Sequence, residues 1–450
     1  MKGNSVLEYN SRLSHYSGTI PMNVSVSTLL DLNYVINQTD KLAKNINVTN
    51  IHKSNMSKQL LQKYDSITVE QWLNSTLTDK EAIEQYKAAI RGIVYAEPSQ
   101  LSFLFWLNYV KSANGSAMHL VETKNGAQDS KIIGGAQSVC NSMLKYIGFD
   151  AVKLQHCVTK IEQSNKDYIA VHCSNHTTFK CKHLLCSIPP ALYSKIEWKP
   201  QLSVQRMKIG RNMAMAYILK TNVFYKTAFW RTDGLNGLSF CCGEKQNNNS
   251  PIIVTFDDCK PDGSVPSLMG LTLNRSKYMN MSAEQRKQSV LEQYCRIFKN
   301  KKAITECIGY FEKIWSTEEY SLGGPVGVTK CNVLSSEYWK VLKQNRNGQI
   351  FFCGTELADQ WMGYIDGAIQ CGEKEAHKIA QILANNDESV IVKSIFEYDK
   401  EPECDGCPLP FVNLQRSWIE RNLLPSAKNA KSAVWISLFF IFLCFAVKFA

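Results

Sequence analysis

The chain has no strand followed by G-x-G-x-x-G, the turn that seats a dinucleotide pyrophosphate on a helix N-terminus. It also has no compact basic run with interleaved aromatics. The net charge of +11 comes from scattered lysines, so nucleic acid is excluded as a partner. Met1 opens a polar segment rather than a charged stretch leading into an apolar run, so no secretory signal is expected. Cysteine is plentiful at 16 residues, but its spacing forms no disulfide framework. Cys241-Cys242 is a vicinal pair, and Cys404-x-x-Cys407 has no second pair or histidine near it, so no zinc site is indicated. These read as reduced thiols on the cytosolic side. Asp257-Asp258 could suggest a metal, but adjacent acids in a strand face opposite ways, so they read as a turn anchor. Asn-x-Ser/Thr triplets at Asn23, Asn47 and Asn74 read as accidents of an Asn-rich composition.

What is present is ordinary in bulk and specific in places. Hydrophobic residues make up 44% of the 450 and charged residues 20%, a globular composition. The length suggests about two or three domains. The most informative stretch runs from Phe351 to Gly372. An apolar run, Ile350 to Cys353, stops at Gly354 and reads as a buried strand ending in a turn. Thr355, Glu356 and Trp361 follow, and then a helical pattern with Gly363, Gly367 and Gly372 along it. Glycines near a helix start let a flat ligand approach the backbone. The free N–H groups there favour an anion such as the pyrimidine edge of a reduced flavin. A plain strand–helix unit with packing glycines has the same spacing.

Elsewhere the chain punctuates itself. Residues 1–75 are Asn-, Ser- and Lys-rich, with short helical patterns at Leu29–Ile36 and Met56–Tyr64. Thr78-x-x-Glu81 forms a capping-box pattern before a periodic apolar run, Glu97-Pro98 breaks it, and Ser99 opens an aromatic helix. Alternating strands are expected between Val152 and Cys186, ending at Pro189-Pro190. Lys220 sits in an alternating segment, where it is either an edge lysine in solvent or a lysine facing a cavity. Residues 283–299 read as an amphipathic helix. Ala433–Val447 is apolar and flanked by Lys428, Lys431 and Lys448. As a helix it spans about 22 Å, short of the roughly 30 Å hydrocarbon core, and flanking lysines can close that gap by snorkelling. A tail anchor and a packed core helix are both compatible with it.

Wording, beyond spacing, resembles the flavin-containing monoamine oxidase family. The residues that carry the resemblance are GTE followed by W-x-GY-x-x-GA at 354–368, SFLFWLNYVKSANGS running into LVETKNGAQ, KTNVFYKTAFW, and SPIIVTFDDCKPDGSVPSLMGL. The resemblance implies an α/β (α+β) fold of two domains. An FAD-binding fold incomplete at its N-terminus would be joined to a substrate domain of mixed sheet and helices, followed by a C-terminal transmembrane helix. On that match, 1–75 and 76–130 belong to the substrate domain and 131–190 to the FAD domain. Residues 191–345 return to the substrate domain and 346–390 to the FAD domain, 391–432 form a linker, and 433–449 form the anchor.

The same resemblance implies site residues. Lys220 matches the lysine that holds a water beside the flavin, and Tyr364 matches an aromatic that orients the amine. Val158, Gly354, Thr355, Glu356, Trp361, Gly363 and Tyr364 fall at FAD contacts. Val121, Gln128, Val254, Leu271 and Tyr364 fall at the substrate cavity. Pro325 stands where covalent relatives carry the flavin-linking cysteine, so any FAD is expected to be bound noncovalently. Val326 follows in place of a second aromatic that would face Tyr364. Cys331, six residues on, is not expected to substitute for the missing cysteine. The implied activity is FAD-dependent oxidation of primary amines to aldehyde, ammonia and hydrogen peroxide, at the mitochondrial outer membrane or, as the alternative, the endoplasmic reticulum. Pro325, Val326 and the missing pyrophosphate turn keep open a membrane-anchored binding protein without catalysis. The resemblance leaves a homodimer open and implies no metal.

Overall fold

The computed structural model describes residues 3–18, 20–122, 126–165, 167–243, 250–260, 262–273, 276–386 and 424–431. Most of the expected linker (all but 424–431), the tail anchor and Cys404-x-x-Cys407 lie outside those residues. Among the described residues no helix is long and apolar enough to cross a membrane.

The framework is one large sheet. Its strands are β1 (Asn4–Tyr9), β2 (Arg12–Tyr16), Ile218–Tyr225, Leu235–Cys242, Val254–Asp257, Ser267–Leu273 and Cys307–Ile314. From one edge to the other the order is Cys307–Ile314, Ile218–Tyr225, Ser267–Leu273, Val254–Asp257, Leu235–Cys242, β1, β2. Every pairing is antiparallel except β1 with Leu235–Cys242. The N-terminal residues, whose sequence gave only helical patterns, thus begin as a hairpin that finishes the sheet.

Strand 218–225 explains why the sheet separates two interiors. Its even and odd positions point to opposite faces. Leu219, Val223 and Tyr225 are buried on one face. There Val223 and Tyr225 pack with Val290, Leu291 and Tyr294 of helix Ala283–Ile297. That helix starts with a capping box between Ser282 and Gln285. Ile218 and Lys220 point the other way, into a cluster with Leu238, Val254, Leu271 and Tyr95.

On that second side lie the helices α1 (Val26–Ala43), α2 (Lys58–Asp65), α3 (Val69–Thr76), α4 (Lys80–Val94), α5 (Phe103–Ser112) and α6 (Ala117–Val121). The expected helix starts are each displaced. Asp79, not Thr78, caps α4 by accepting from Ala82 N at 3.0 Å. Thr78 N and Asp79 N both donate to Asp31, so the cap is tied to α1. The aromatic helix α5 begins at Phe103 with Ser102 as its cap, and Ser102 donates to the buried carboxylate of Asp65 at 2.7 Å.

A smaller sheet brings distant chain segments together. Leu184–Cys186 pairs parallel with Ile350–Phe352, which pairs in turn with Arg346–Asn347. Parallel strands require a long crossover between them, and here some 160 residues of other structure intervene. Helix α7 (Gln137–Ile147) carries no buried residue. Met143, Tyr146, Ile147 and, just beyond it, Phe149 are exposed apolar residues.

Candidate functional site

A cavity of about 520 Å³ opens where the large and small sheets face each other. Three backbone segments and one strand face supply its walls. Ser187 and Pro189 come from the turn after Leu184–Cys186, Gly323, Gly324 and Pro325 from a loop, and Gly354, Thr355 and Glu356 from the turn after Ile350–Phe352. The strand face contributes Ile218, Lys220, Met269 and Leu271.

Lys220 stands in a row across the sheet. It is the register partner of Leu271, which pairs with Val254, which pairs with Phe240. Its half-buried side chain faces the cavity, and among the described residues no hydrogen-bond partner occupies its ammonium group. Of the two readings left open by the sequence, the geometry favours the inward lysine.

The turn after Phe352 is stitched by one hydroxyl. Thr355 Oγ1 accepts from Gly363 N at 2.6 Å and donates to the carbonyl of Tyr364 at 3.2 Å. That bond pair fixes the far end of the loop against its start. Glu356 is 2% exposed and accepts from Gly327 N at 2.9 Å. Burial raises its carboxyl above the usual range. Below the loop, Lys343 donates to the carbonyls of Leu357 at 2.9 Å and Ala358 at 3.1 Å. Its enclosure pushes its pKa down to about 8, against the opposing pull of Asp359.

The glycines divide into two kinds. At Gly324 an added Cβ would meet Ala216 Cβ at 3.2 Å and Tyr95 Cβ at 3.7 Å, while Gly354 has nothing closer than 3.7 Å. At Gly363, with φ +86°, a Cβ would meet the Tyr109 hydroxyl at 2.3 Å, and at Gly367 it would meet the Trp361 carbonyl at 2.3 Å. Gly363 and Gly367 therefore admit neighbouring protein groups.

The other expected residues are spread more widely. Trp361 and Tyr364 pack edge to face at 5.4 Å, and the Tyr364 phenol is in hydrogen-bonding contact with that of the fully buried Tyr109. Tyr364 is not among the residues lining the cavity. Val158 opens the strand Val158–Glu162 and is away from these walls. Val121 lines a second, apolar cavity of about 100 Å³ with Ile93, Trp106, Met118 and Phe240. Gln128 is exposed, and its amide donates to the Leu120 carbonyl at 3.3 Å. Val254, 1% exposed, lies between the two cavities on the row that joins Phe240 to Leu271. Cys331 lines neither. Asp257 serves as the expected anchor, accepting from Trp230 Nε1, from Arg231 and from Cys259 N. Sequence reasoning passed over Tyr95, which lines the Lys220 cavity from the end of α4. Its only signal was an aromatic two residues before Glu97-Pro98.

The cavity fits the ring end of a flavin. Glycine backbone lines the walls, the Ser187 hydroxyl offers a hydrogen bond, and Lys220 brings a cation to the edge. Among the described residues no Gly-rich turn of the pyrophosphate-binding kind is present.

The flavin containing amine oxidoreductase family model matches residues 23–380. The chain belongs to this family. It is 34% identical over 364 residues to "Amine oxidase [flavin-containing] A" of Equus caballus, covering 80% of this chain and 66% of that protein. It is 31% identical over 366 residues to "Amine oxidase [flavin-containing] B" of Mus musculus, covering 81% and 67%. The chain therefore spans about two thirds of the length of these relatives. A solved structure of putrescine oxidase superposes with a TM-score of 0.77 at 23% identity, covering 85% of this chain and 82% of that one. Cyclohexylamine oxidase from Brevibacterium oxydans gives 0.75 at 21% identity, covering 85% and 81%. These two likenesses establish the flavin amine oxidase fold.

Proposed function

We propose that the chain oxidises primary amines at the Lys220 cavity, using noncovalently held FAD. The observation that carries this reading is the convergence of Lys220, Gly323–Pro325 and Gly354–Glu356 on one cavity. Bound FAD supplies the two-electron acceptor for the carbon beside the amine nitrogen. The loops 323–325 and 354–356 hold its ring. Lys220 positions a water and keeps positive charge at the ring's edge. Leu271, Ile218 and Met269 exclude bulk water and orient the apolar part of the amine. The overall reaction converts amine, dioxygen and water to aldehyde, ammonia and hydrogen peroxide. Pro325 has no nucleophile, and no cysteine lines the cavity among the described residues, which supports a noncovalent cofactor. Residues 433–449 would tether the chain to the mitochondrial outer membrane.

The test is the visible spectrum of the purified chain in mild detergent, before and after acid precipitation, followed by a peroxide assay with amines. Flavin bands that move to the supernatant, with amine-dependent peroxide, support the reading. No flavin after incubation with FAD removes it and favours a non-catalytic membrane-anchored binding protein.

A further inference from the structure

Tyr95 occupies an unusual position. It caps the C-terminus of α4 with φ 56° and ψ 25°, in the left-handed region. Glycine or asparagine makes that turn at lower cost, and another residue there gives up roughly 1 kcal/mol. Something other than the turn therefore accounts for the aromatic ring.

Its surroundings give the reason. Tyr95 is one of the lining residues of the Lys220 cavity and packs against the cluster of Ile218, Leu238, Val254 and Leu271. Its Cβ comes within 3.7 Å of where a Gly324 Cβ would stand, so it sits against the loop that ends in Pro325. Burial raises the pKa values of Tyr95, Tyr109 and Tyr364, and the nearby Tyr95 phenol adds to the rise at the other two. All three stay neutral at physiological pH. Val326, where the sequence suggested a lost aromatic, is wholly buried in the main core and gives the cavity no surface.

We propose that Tyr95 is a specificity-determining residue, the aromatic wall against which the amine-bearing end of the substrate rests. The role rests on the oxidase reading above. The ring offers a negative π face to a nitrogen that carries positive charge. With its Cβ anchored against the Gly324 loop, the ring would crowd substituents on that nitrogen, so primary amines are favoured over N-substituted ones. The left-handed cap aims the side chain into the cavity instead of along the helix.

The test compares Tyr95→Phe, Tyr95→Leu and Tyr95→Gly in the full chain, with benzylamine and N-methylbenzylamine as probes. Tyr95→Phe is expected to stay within about twofold of the parent for both amines. Tyr95→Leu is expected to raise KM for benzylamine about tenfold and to narrow the preference for the primary amine. Flavin content and reduction by dithionite should be unchanged. Should Tyr95→Leu lose flavin, Tyr95→Gly carries the same readout, because glycine suits the left-handed cap. A parent chain without flavin or turnover removes the oxidase reading itself. An active parent whose leucine and glycine variants keep its KM and its preference overturns the role of Tyr95 alone. A phenylalanine variant as impaired as the leucine variant overturns it too, by assigning the effect to the hydroxyl.

Discussion

Lys220 and Leu271 are register partners on neighbouring strands and share a wall of one cavity. The pairing places an amine group beside an apolar wall, and among the described residues no partner neutralises it. Replacing Lys220 by methionine keeps the stem and removes the charge. Turnover with amines should fall by about 10²-fold or more, while flavin content and the melting temperature stay near the parent values. A stopped-flow measurement that separates flavin reduction from reoxidation checks this. Unchanged rates in both halves would remove Lys220 from the mechanism.

Val326→Tyr looked, from sequence, like a way to restore a second aromatic wall. The side chain is fully buried in the main core, so the larger ring must displace packed neighbours. A destabilisation of roughly 1–3 kcal/mol is expected, with no sharper choice among amines. Urea midpoints and a KM series test the two halves of that statement separately.

Asp257 ties the end of its strand to the helix that begins at Phe229. Burial pulls its pKa up, but hydrogen bonds from Arg231, Trp230 and Cys259 outweigh burial and lower it. Because the folded pKa is depressed, the carboxylate contributes stability above its unfolded pKa. That contribution is lost as pH falls through the lower folded value. Asp257→Asn should cost about 3 kcal/mol near neutrality, and less as pH falls below the ordinary carboxylate range. Denaturant titrations across a descending pH series read the difference.

Lys343 works in the opposite direction. Its folded pKa of about 8 lies below the ordinary value of 10.5. Between these values the unfolded chain holds more protons, so stability from this group rises with pH. Relative to Lys343→Met, the parent should gain on the order of 3 kcal/mol between pH 8 and pH 10.5. Parallel unfolding curves for the two proteins would contradict the burial of a chargeable amine under the Leu357–Ala358 carbonyls.

Gly363→Ala combines a positive φ with a Cβ 2.3 Å from the Tyr109 hydroxyl. A loss of about 1–3 kcal/mol is expected, along with weaker flavin retention as the Thr355 stitch shifts. Thermal melts with and without added FAD distinguish loss of fold from loss of cofactor.

Much of the cradle was legible in the sequence because it is local. The run Ile350–Cys353 and the stop at Gly354 signal a buried strand and a turn within a few residues, and the structure has both. Alternation likewise placed Lys220 in a strand, though not which face it took, since that depends on what packs on each side. The hairpin at 4–16 went unseen because its segment is polar and its stabilising partner, Leu235–Cys242, lies more than 200 residues away. Val121 and Gln128 show the same limit, because a neighbour in sequence need not border the same space. Tyr95 had no periodic signal at all, since a single cap residue belongs to no repeat.

Helix α7 buries none of its side chains. A helix of this length is marginal on its own in water, so its persistence depends on local propensity rather than on tertiary packing. Its opening free energy therefore lies near the bottom of the molecule's range, far below that of the central strands. Its amides should be among the first to exchange with solvent deuterium and its peptide bonds among the first to be cut by a protease, both ahead of any change at the Lys220 cavity.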